Sequence, residues 1–224
     1  MYPSGALLLI GTMCEAEGHL VIIYDGAVDK RFFLSVLSGF HPDIVGITVN
    51  TFQTKYANKY LNIIKSYDKS ILTVIGGPHP SGIGLKSLSD FPNADIAVMG
   101  EGEFTFLDIV NDKPHEDILG ICYAGERNQD RPPIDVLSHI PLTDLSLVDM
   151  SKYSGTSNRN EKSMFIMASR GCPFQCIYCN KSIFGSKVRF REPEDIINEI
   201  KWLNTTYGIN HIFFQDDTFN LNRK

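Results

Sequence analysis

Short apolar runs, rich in β-branched residues, alternate along the first half of the chain with stretches whose apolar positions recur every three or four residues. Residues 19–24 (HLVIIY), 44–49 (IVGITV), 71–75 (ILTVI) and 94–99 (ADIAVM) are continuous apolar segments bounded by Gly, Pro, Asp or Asn. That is the signature of strands buried on both faces. Between them, residues 32–37 and 56–67 carry a helical period, the second with Tyr56, Tyr60, Ile63, Ile64 and Tyr67 on one face. Strands separated by helices at this spacing predict an α/β fold with a parallel, Rossmann-like (flavodoxin-like) sheet. Gly5–Ala16 also reads as a helix, with only four residues before it. In an open parallel sheet the first strand lies centrally, so the pattern predicts a chain lacking its opening strand. The alternative is a four-stranded sheet that starts with a helix.

The second half changes character. Residues 118–124 resemble another strand, followed by a polar turn, and Pro132, Pro133 and Pro141 preclude a long helix there. Residues 149–162 are rich in Ser, Asn, Gly and charge and read as a linker or surface loop. A strand over 164–168 then opens a second domain. Its helix is expected over Pro193–Tyr207, with Pro193 in the first turn and Glu194 and Asp195 at the positive end. Ile196, Ile197, Ile200 and Leu203 line one side of it. A further strand over 211–214 runs into Gln215-Asp-Asp-Thr218. One strand, one helix and one strand do not close a barrel, so the pattern predicts a chain cut short at both ends. The expected organisation is a sheet domain over 1–125, a linker over 126–162 and a truncated barrel domain over 163–224.

Composition narrows the class. Hydrophobic residues make up 43% of the chain, enough for a real core, and the net charge of −5 comes without any Lys/Arg run longer than a pair. An extended nucleic-acid surface is therefore disfavoured. The apolar stretch 6–10 has no basic flank and is too short to cross a membrane. Five cysteines, three of them crowded together, argue for reduced thiols in a cytoplasmic setting.

The crowded three stand in one loop, Cys172-Pro-Phe-Gln-Cys176-Ile-Tyr-Cys179, directly after an apolar run. Three thiolates on a tight loop hold three corners of a cubic iron–sulfur cluster and leave the fourth iron open. A zinc site with His211 or Cys122 as fourth ligand is the alternative, although the spacing is unlike common zinc knuckles. Cys14 and Cys122 read as buried thiols. In the first half, ligands of such folds bind beyond the carboxyl ends of the strands. Those ends read Thr48-Val-Asn-Thr51, Gly76-Gly-Pro-His-Pro-Ser-Gly82 and Gly100-Glu-Gly-Glu103. Their glycines allow close backbone approach to a bulky ligand, and none forms a dinucleotide fingerprint. Ordinary strand-to-helix turns remain the competing reading, and His79, between two prolines, reads as structural.

Ser169-Arg-Gly-Cys172-Pro-Phe-Gln-Cys176-Ile-Tyr-Cys179 resembles the signature of the radical S-adenosylmethionine (SAM) superfamily. The resemblance continues at Val188-Arg-Phe-Arg-Glu-Pro-Glu-Asp-Ile-Ile197 and Phe213-Phe-Gln-Asp-Asp-Thr-Phe219. Upstream, Val74-Ile-Gly-Gly-Pro-His-Pro80, Gly100-Glu-Gly-Glu-Phe-Thr-Phe106 and Tyr2-Pro-Ser-Gly5 are similar to the branch with an N-terminal cobalamin-binding domain. The resemblance implies a Rossmann-like domain followed by the first β-α-β portion of a radical SAM partial TIM barrel. It implies that Cys172, Cys176 and Cys179 ligate a [4Fe–4S] cluster whose open iron chelates SAM, cleaved to a 5′-deoxyadenosyl radical. It places Tyr178 near the adenine and Asp216, Asp217 and Thr218 near the methionine or ribose. It assigns cobalamin to Thr48, Asn50, Gly76, Gly77, Gly100, Glu101 and Gly102. Arg170 and Gly171 are expected to shape the cysteine loop. No histidine sits in an Asp-x-His-x-x-Gly motif, so cobalt has no protein histidine below it in that pattern.

The implied activity is cobalamin-dependent methylation or cyclisation of an unactivated carbon in a small-molecule substrate, with an electron donor such as flavodoxin or ferredoxin. Two rivals stand beside it: a radical SAM enzyme with a vestigial front domain, and a non-catalytic ligand-binding module. Catalytic residues and the substrate are not identified by the sequence.

Overall fold

The computed structural model describes residues 2–153 and 162–221; of the segment read as a linker, residues 154–161 lie outside the described residues. The chain opens with helix α1 (Gly5–Ala16), whose N-terminus is capped by Ser4: Leu7 N–H donates to Ser4 Oγ. Helix α2 (Phe33–Phe40) leads into strand β1 (Ile44–Thr48), helix α3 (Thr54–Tyr67) and strand β2 (Leu72–Gly76). The short helices α4 (Pro78–Ile83) and α5 (Ser87–Asp90) precede β3 (Ile96–Val98), and α6 (Glu103–Val110) precedes β4 (Ile121–Tyr123) and β5 (Glu126–Arg127). Beyond the linker come β6 (Ser163–Ile166), β7 (Ser169–Arg170), β8 (Arg189–Phe190), α7 (Pro193–Tyr207) and β9 (His211–Phe214). These elements fall into two compact units.

The sheet unit holds Lys30–Pro133 together with Tyr178–Ile183. Its five strands lie in the order β1-β2-β3-β4-β5. The first three are parallel, with Ile44↔Leu72 through Thr48↔Gly76 and then Val74↔Ile96 in register. β4 returns antiparallel beside β3, pairing Ala97 with Cys122, and turns into β5 through Ala124 (φ 49°) and Gly125 (φ 84°). Two central residues at positive φ suit the twist of a two-residue hairpin. The strand period sorts the core cleanly. Ile75 and Ala97 join Val49, Leu61 and Phe91 in one buried cluster, while Val74, Ile96 and Val98 join Ile109, Ile118 and Ile121 in another.

Two expectations change here. The buried face of α3 is Ala57, Leu61 and Ile64, not the tyrosine-rich stripe, and Tyr56 is exposed. Small and aliphatic side chains fit flush on a sheet, whereas Tyr60 finds the edge of Phe33, ring centroids 4.8 Å apart. Residues 19–24 form no strand. In a sheet of order 2-1-3-4-5 the second strand pairs only with the one before the first helix, and α1 is preceded here by a non-strand segment. Val21 and Ile23 instead lie against Gly11 of α1, where an added Cβ would meet them at 3.3 and 3.5 Å, and Leu20 is left 87% exposed.

The Asp95 carboxylate, before β3, accepts from Lys65 Nζ at 2.6 Å and from Thr73 N–H and Oγ1 at 2.7 Å each. Partial burial pushes its carboxyl up, yet the Lys65 and Thr73 hydrogen bonds outweigh this and hold it below the ordinary carboxylate value. A depressed folded-state pKa stabilises the fold fully above the ordinary value, and the contribution disappears as pH falls through the lower one. The melting temperature of Asp95→Asn is therefore expected to drop less than that of the parent as buffer goes from about pH 5 to about pH 3; parallel curves would exclude this role.

The second unit comprises the described parts of Met1–Asp29, Ile134–Ile177 and Phe184–Lys224. β6 and β9 pair in parallel, Ser163↔His211 through Ile166↔Phe214, joined by α7 in a β-α-β arrangement. α7 has the extent read from the sequence, from Pro193 in its first turn to Gly208 (φ 67°) as its left-handed C-cap. Leu8 of α1, Leu145, Met164, Ile166, Leu203 and Ile209 form its buried core. Tyr2 stacks edge-on against Phe165 and Phe213, at centroid distances of 4.5 and 5.5 Å.

Candidate functional site

The cysteine loop leaves β7 and returns at β8, whose two-residue ladder pairs Ser169 with Phe190 and Arg170 with Arg189. Its entry depends on Gly171. At φ +92° the backbone is left-handed, and an added Cβ would stand 2.4 Å from the Lys187 carbonyl oxygen. Buried Arg170 lies over the Phe184 ring at 5.1 Å from its centroid. Buried Arg189 donates to the carbonyls of Ile134 at 2.6 Å and Phe184 at 3.0 Å. The two arginines thus hold the base of the loop from within. Cys172 N–H donates to the Gly185 carbonyl at 3.3 Å.

Past that base the loop is open to solvent. Cys172 is half-buried, Cys176 and Cys179 are exposed, and all three thiols are free. Among the described residues no three His, Cys, Asp or Glu side chains stand close enough to hold a metal ion. The three cysteines stand on one loop, between β7 and β8. Tyr178 is 88% exposed. Thr218 Oγ1 lies 3.4 Å from Cys172 Sγ, and its hydroxyl donates to the Asp217 carbonyl at 2.8 Å. Asp216 does something the sequence did not signal: its carboxylate accepts from Ala168 N–H at 2.8 Å and Ser169 Oγ at 2.7 Å, tying the end of β9 to the end of β6 and to β7. Asp217 is exposed. Burial pushes Cys14 up to about 11, and burial likewise raises Cys122, in keeping with inert core thiols.

In the sheet unit, Thr48, Gly76 and Gly100 stand at or just past the carboxyl ends of the parallel strands β1, β2 and β3. Gly77 (φ +99°) approaches so closely that an added Cβ would be 2.9 Å from Thr48 Oγ1 and 3.2 Å from Val49 N. Gly100 (φ +71°) has open space where a side chain would go, and its N–H donates to Ser81 Oγ at 3.0 Å. Gly102 precedes α6, and Glu101 is buried beside it. Asn50 is committed locally, sharing a capping box with Gln53 whose Oε1 accepts from Asn50 N–H at 3.1 Å. Of these glycines Gly100 has open space beside its backbone, whereas Gly77 is packed on the end of β1.

The B12 binding domain family matches residues 1–110, and the Radical SAM superfamily matches residues 166–224. The chain belongs to the radical SAM superfamily, in its B12-binding branch. An uncharacterized methyltransferase of Pyrococcus horikoshii is 35% identical, over 99% of this chain and 50% of its own length. The anaerobic magnesium-protoporphyrin IX monomethyl ester cyclase of Rubrivivax gelatinosus is 29% identical, over 100% of this chain and 43% of its own. Among solved structures, the radical S-adenosylmethionine methyltransferase TsrM of Kitasatospora setae shares the fold, with a TM-score of 0.70 at 19% identity over 96% of this chain and 45% of that one. The chain thus spans about half the length of the curated relatives it matches.

Membership of this branch fits the donors present. Three free thiols within eight residues, two of them exposed, are the soft ligand set an iron–sulfur cluster needs, and Gly100, at the end of β3, has open space beside it. The B12 binding match extends over α1 and residues 19–24, which by contact group with the β6-α7-β9 elements. The sequence family marks ancestry; the packing follows from Leu8, whose burial is met by Leu145, Met164 and Leu203. No described helix is long and apolar enough to cross a membrane.

Proposed function

We propose that the protein is a cobalamin-dependent radical SAM enzyme that methylates or cyclises an unactivated carbon of a small metabolite. The observation that carries this reading is the presence of both families on one chain, B12 binding over 1–110 and Radical SAM over 166–224. The names of the relatives, methyltransferase and cyclase, support the two outcomes. Cys172, Cys176 and Cys179 would hold the [4Fe–4S] cluster, and Thr48, Asn50, Gly76, Gly77, Gly100, Glu101 and Gly102 the cobalamin. When bound, the cluster with SAM supplies one-electron cleavage of a sulfonium, and cobalamin supplies a transferable methyl group.

The chain's own residues position and shield. Thr218 would turn its hydroxyl from the Asp217 carbonyl to the Cys172 thiolate, Tyr178 would offer its ring to the adenine, and Asp217 a carboxylate to the methionine ammonium. Asp216, in this reading, meets the same ligand from the end of β9 while bracing β6 and β7. The proposed organisation is 1–125 for cobalamin, 126–162 as linker and 163–224 for the cluster, in a cytoplasmic enzyme reduced by flavodoxin or ferredoxin and binding no nucleic acid. Anaerobic reconstitution with iron and sulfide is expected to give a broad absorbance at roughly 400 nm, absent from Cys176→Ala. A spectrum identical in the variant, or zinc retained in place of iron, would exclude the cluster.

A further inference from the structure

His79 is a buried imidazole in the turn that leaves β2, and none of the proposed chemistry employs it. Its backbone N–H donates to the Val49 carbonyl at 3.0 Å. Its ring makes two directional contacts: Nδ1 lies 3.2 Å from Thr51 Oγ1 and Nε2 lies 3.3 Å from the Asp90 carboxylate. A carboxylate only accepts, so in the neutral ring Nε2–H donates to Asp90 and Nδ1 accepts from the Thr51 hydroxyl. The ring also stands edge-on to fully buried Phe91, centroids 5.5 Å apart. Asp90 is itself anchored, because its carbonyl accepts from Asn58 Nδ2 of α3 at 2.8 Å.

One side chain therefore joins three segments: the loop after β1, the turn after β2 and the end of α5. The first two are the lips at this end of the sheet, and they touch: Gly77 packs on Thr48 and Val49, and Val49 N–H donates to the Gly76 carbonyl at 2.8 Å. Packing alone would be satisfied by any ring against Phe91; the bond to Thr51 adds nothing to the core, since Thr51 is exposed. It does fix the lip that carries Thr48 and Asn50 relative to the Gly76-Gly77 turn. We propose that His79 is a positioning residue for the corrin ring, acting through Thr51 to hold the lip that carries Thr48 and Asn50 in place against the Gly76-Gly77 turn. The proposal rests on the cobalamin reading above.

The test is a hydroxocobalamin titration of the full chain, by equilibrium dialysis, with melting curves alongside. A Gln amide reaches the place of Nε2, so His79→Gln keeps Asp90 and releases Thr51; Thr51→Val removes the hydroxyl from an exposed position. Each substitution is expected to weaken hydroxocobalamin binding about five- to tenfold, the equivalent of one hydrogen bond. The double variant is expected to bind no worse than the weaker single, because both break the same link. Parent-like affinity in both singles, or losses that add in the double, would overturn the role of His79 while leaving the cobalamin reading intact. If the parent retains no hydroxocobalamin, the cobalamin reading falls, and this role with it. Should His79→Gln fail to fold, Thr51→Val decides the matter alone.

Discussion

Gly171→Ala is expected to lower the melting temperature by about 6–12 °C and to leave the protein unable to keep iron. Two costs add. A left-handed backbone at φ +92° penalises an L side chain by roughly 1–2 kcal/mol. The new methyl would also meet the Lys187 carbonyl oxygen at 2.4 Å, and backbone cannot swing aside as a flexible side chain can; relief by shifting the loop costs roughly 1–3 kcal/mol. Together these come to about 3 kcal/mol, which at this chain length corresponds to the stated shift. The control is Gly39→Ala in α2, where no heavy atom lies within 4 Å of an added Cβ and φ is ordinary. There alanine is expected to be neutral or stabilising by about 0.5–1 kcal/mol. Equal melting of the two variants would show that the base of the cysteine loop is not built as described.

Asp216→Ala is the second large effect. Ala168 and Ser169 are both buried, so removing the carboxylate leaves an amide N–H and a hydroxyl without an acceptor. Each stranded group costs about 1–3 kcal/mol, and the summed loss is expected near about 3 kcal/mol in denaturant unfolding. Asp216→Asn keeps one acceptor oxygen and is expected to lose about half as much. The diagnostic is Ser169→Ala in the Asp216→Ala background. Removing the orphaned hydroxyl should restore part of the stability, whereas in the parent the same change should cost some. If Ser169→Ala is equally costly in both backgrounds, Asp216 does not hold that hydroxyl.

Much of this architecture is written in local patterns, and what is not has a physical reason. Gly5–Ala16 and Pro193–Tyr207 were readable to the residue because caps and periodicity are encoded next door, in Ser4, Pro193 and Gly208. The strands after Asp43 were readable from their apolar runs. Residues 19–24 have the same composition and no ladder, since a strand exists only if a neighbour supplies its hydrogen bonds. Pairing direction was likewise hidden: nothing in residues 118–124 announces that β4 runs antiparallel, and the signal lies in the Ala124-Gly125 turn, which requires φ above zero at an alanine. The cysteine spacing singled out the loop between β7 and β8 at once. The tasks of Asp216 and His79 stayed invisible because their partners are 47 and 28 residues away, at Ser169 and Thr51.

The openness of the cysteine loop has a practical side. Cys176 and Cys179 are both exposed, with two residues between them in the chain. Dissolved oxygen or peroxide meets such thiols first, and a sulfenic acid on one condenses readily with the other to a disulfide. A loop sealed in that way has two fewer thiolates to give. Protein handled in air without reductant would then take up less iron, while its helices and sheet stayed as they are.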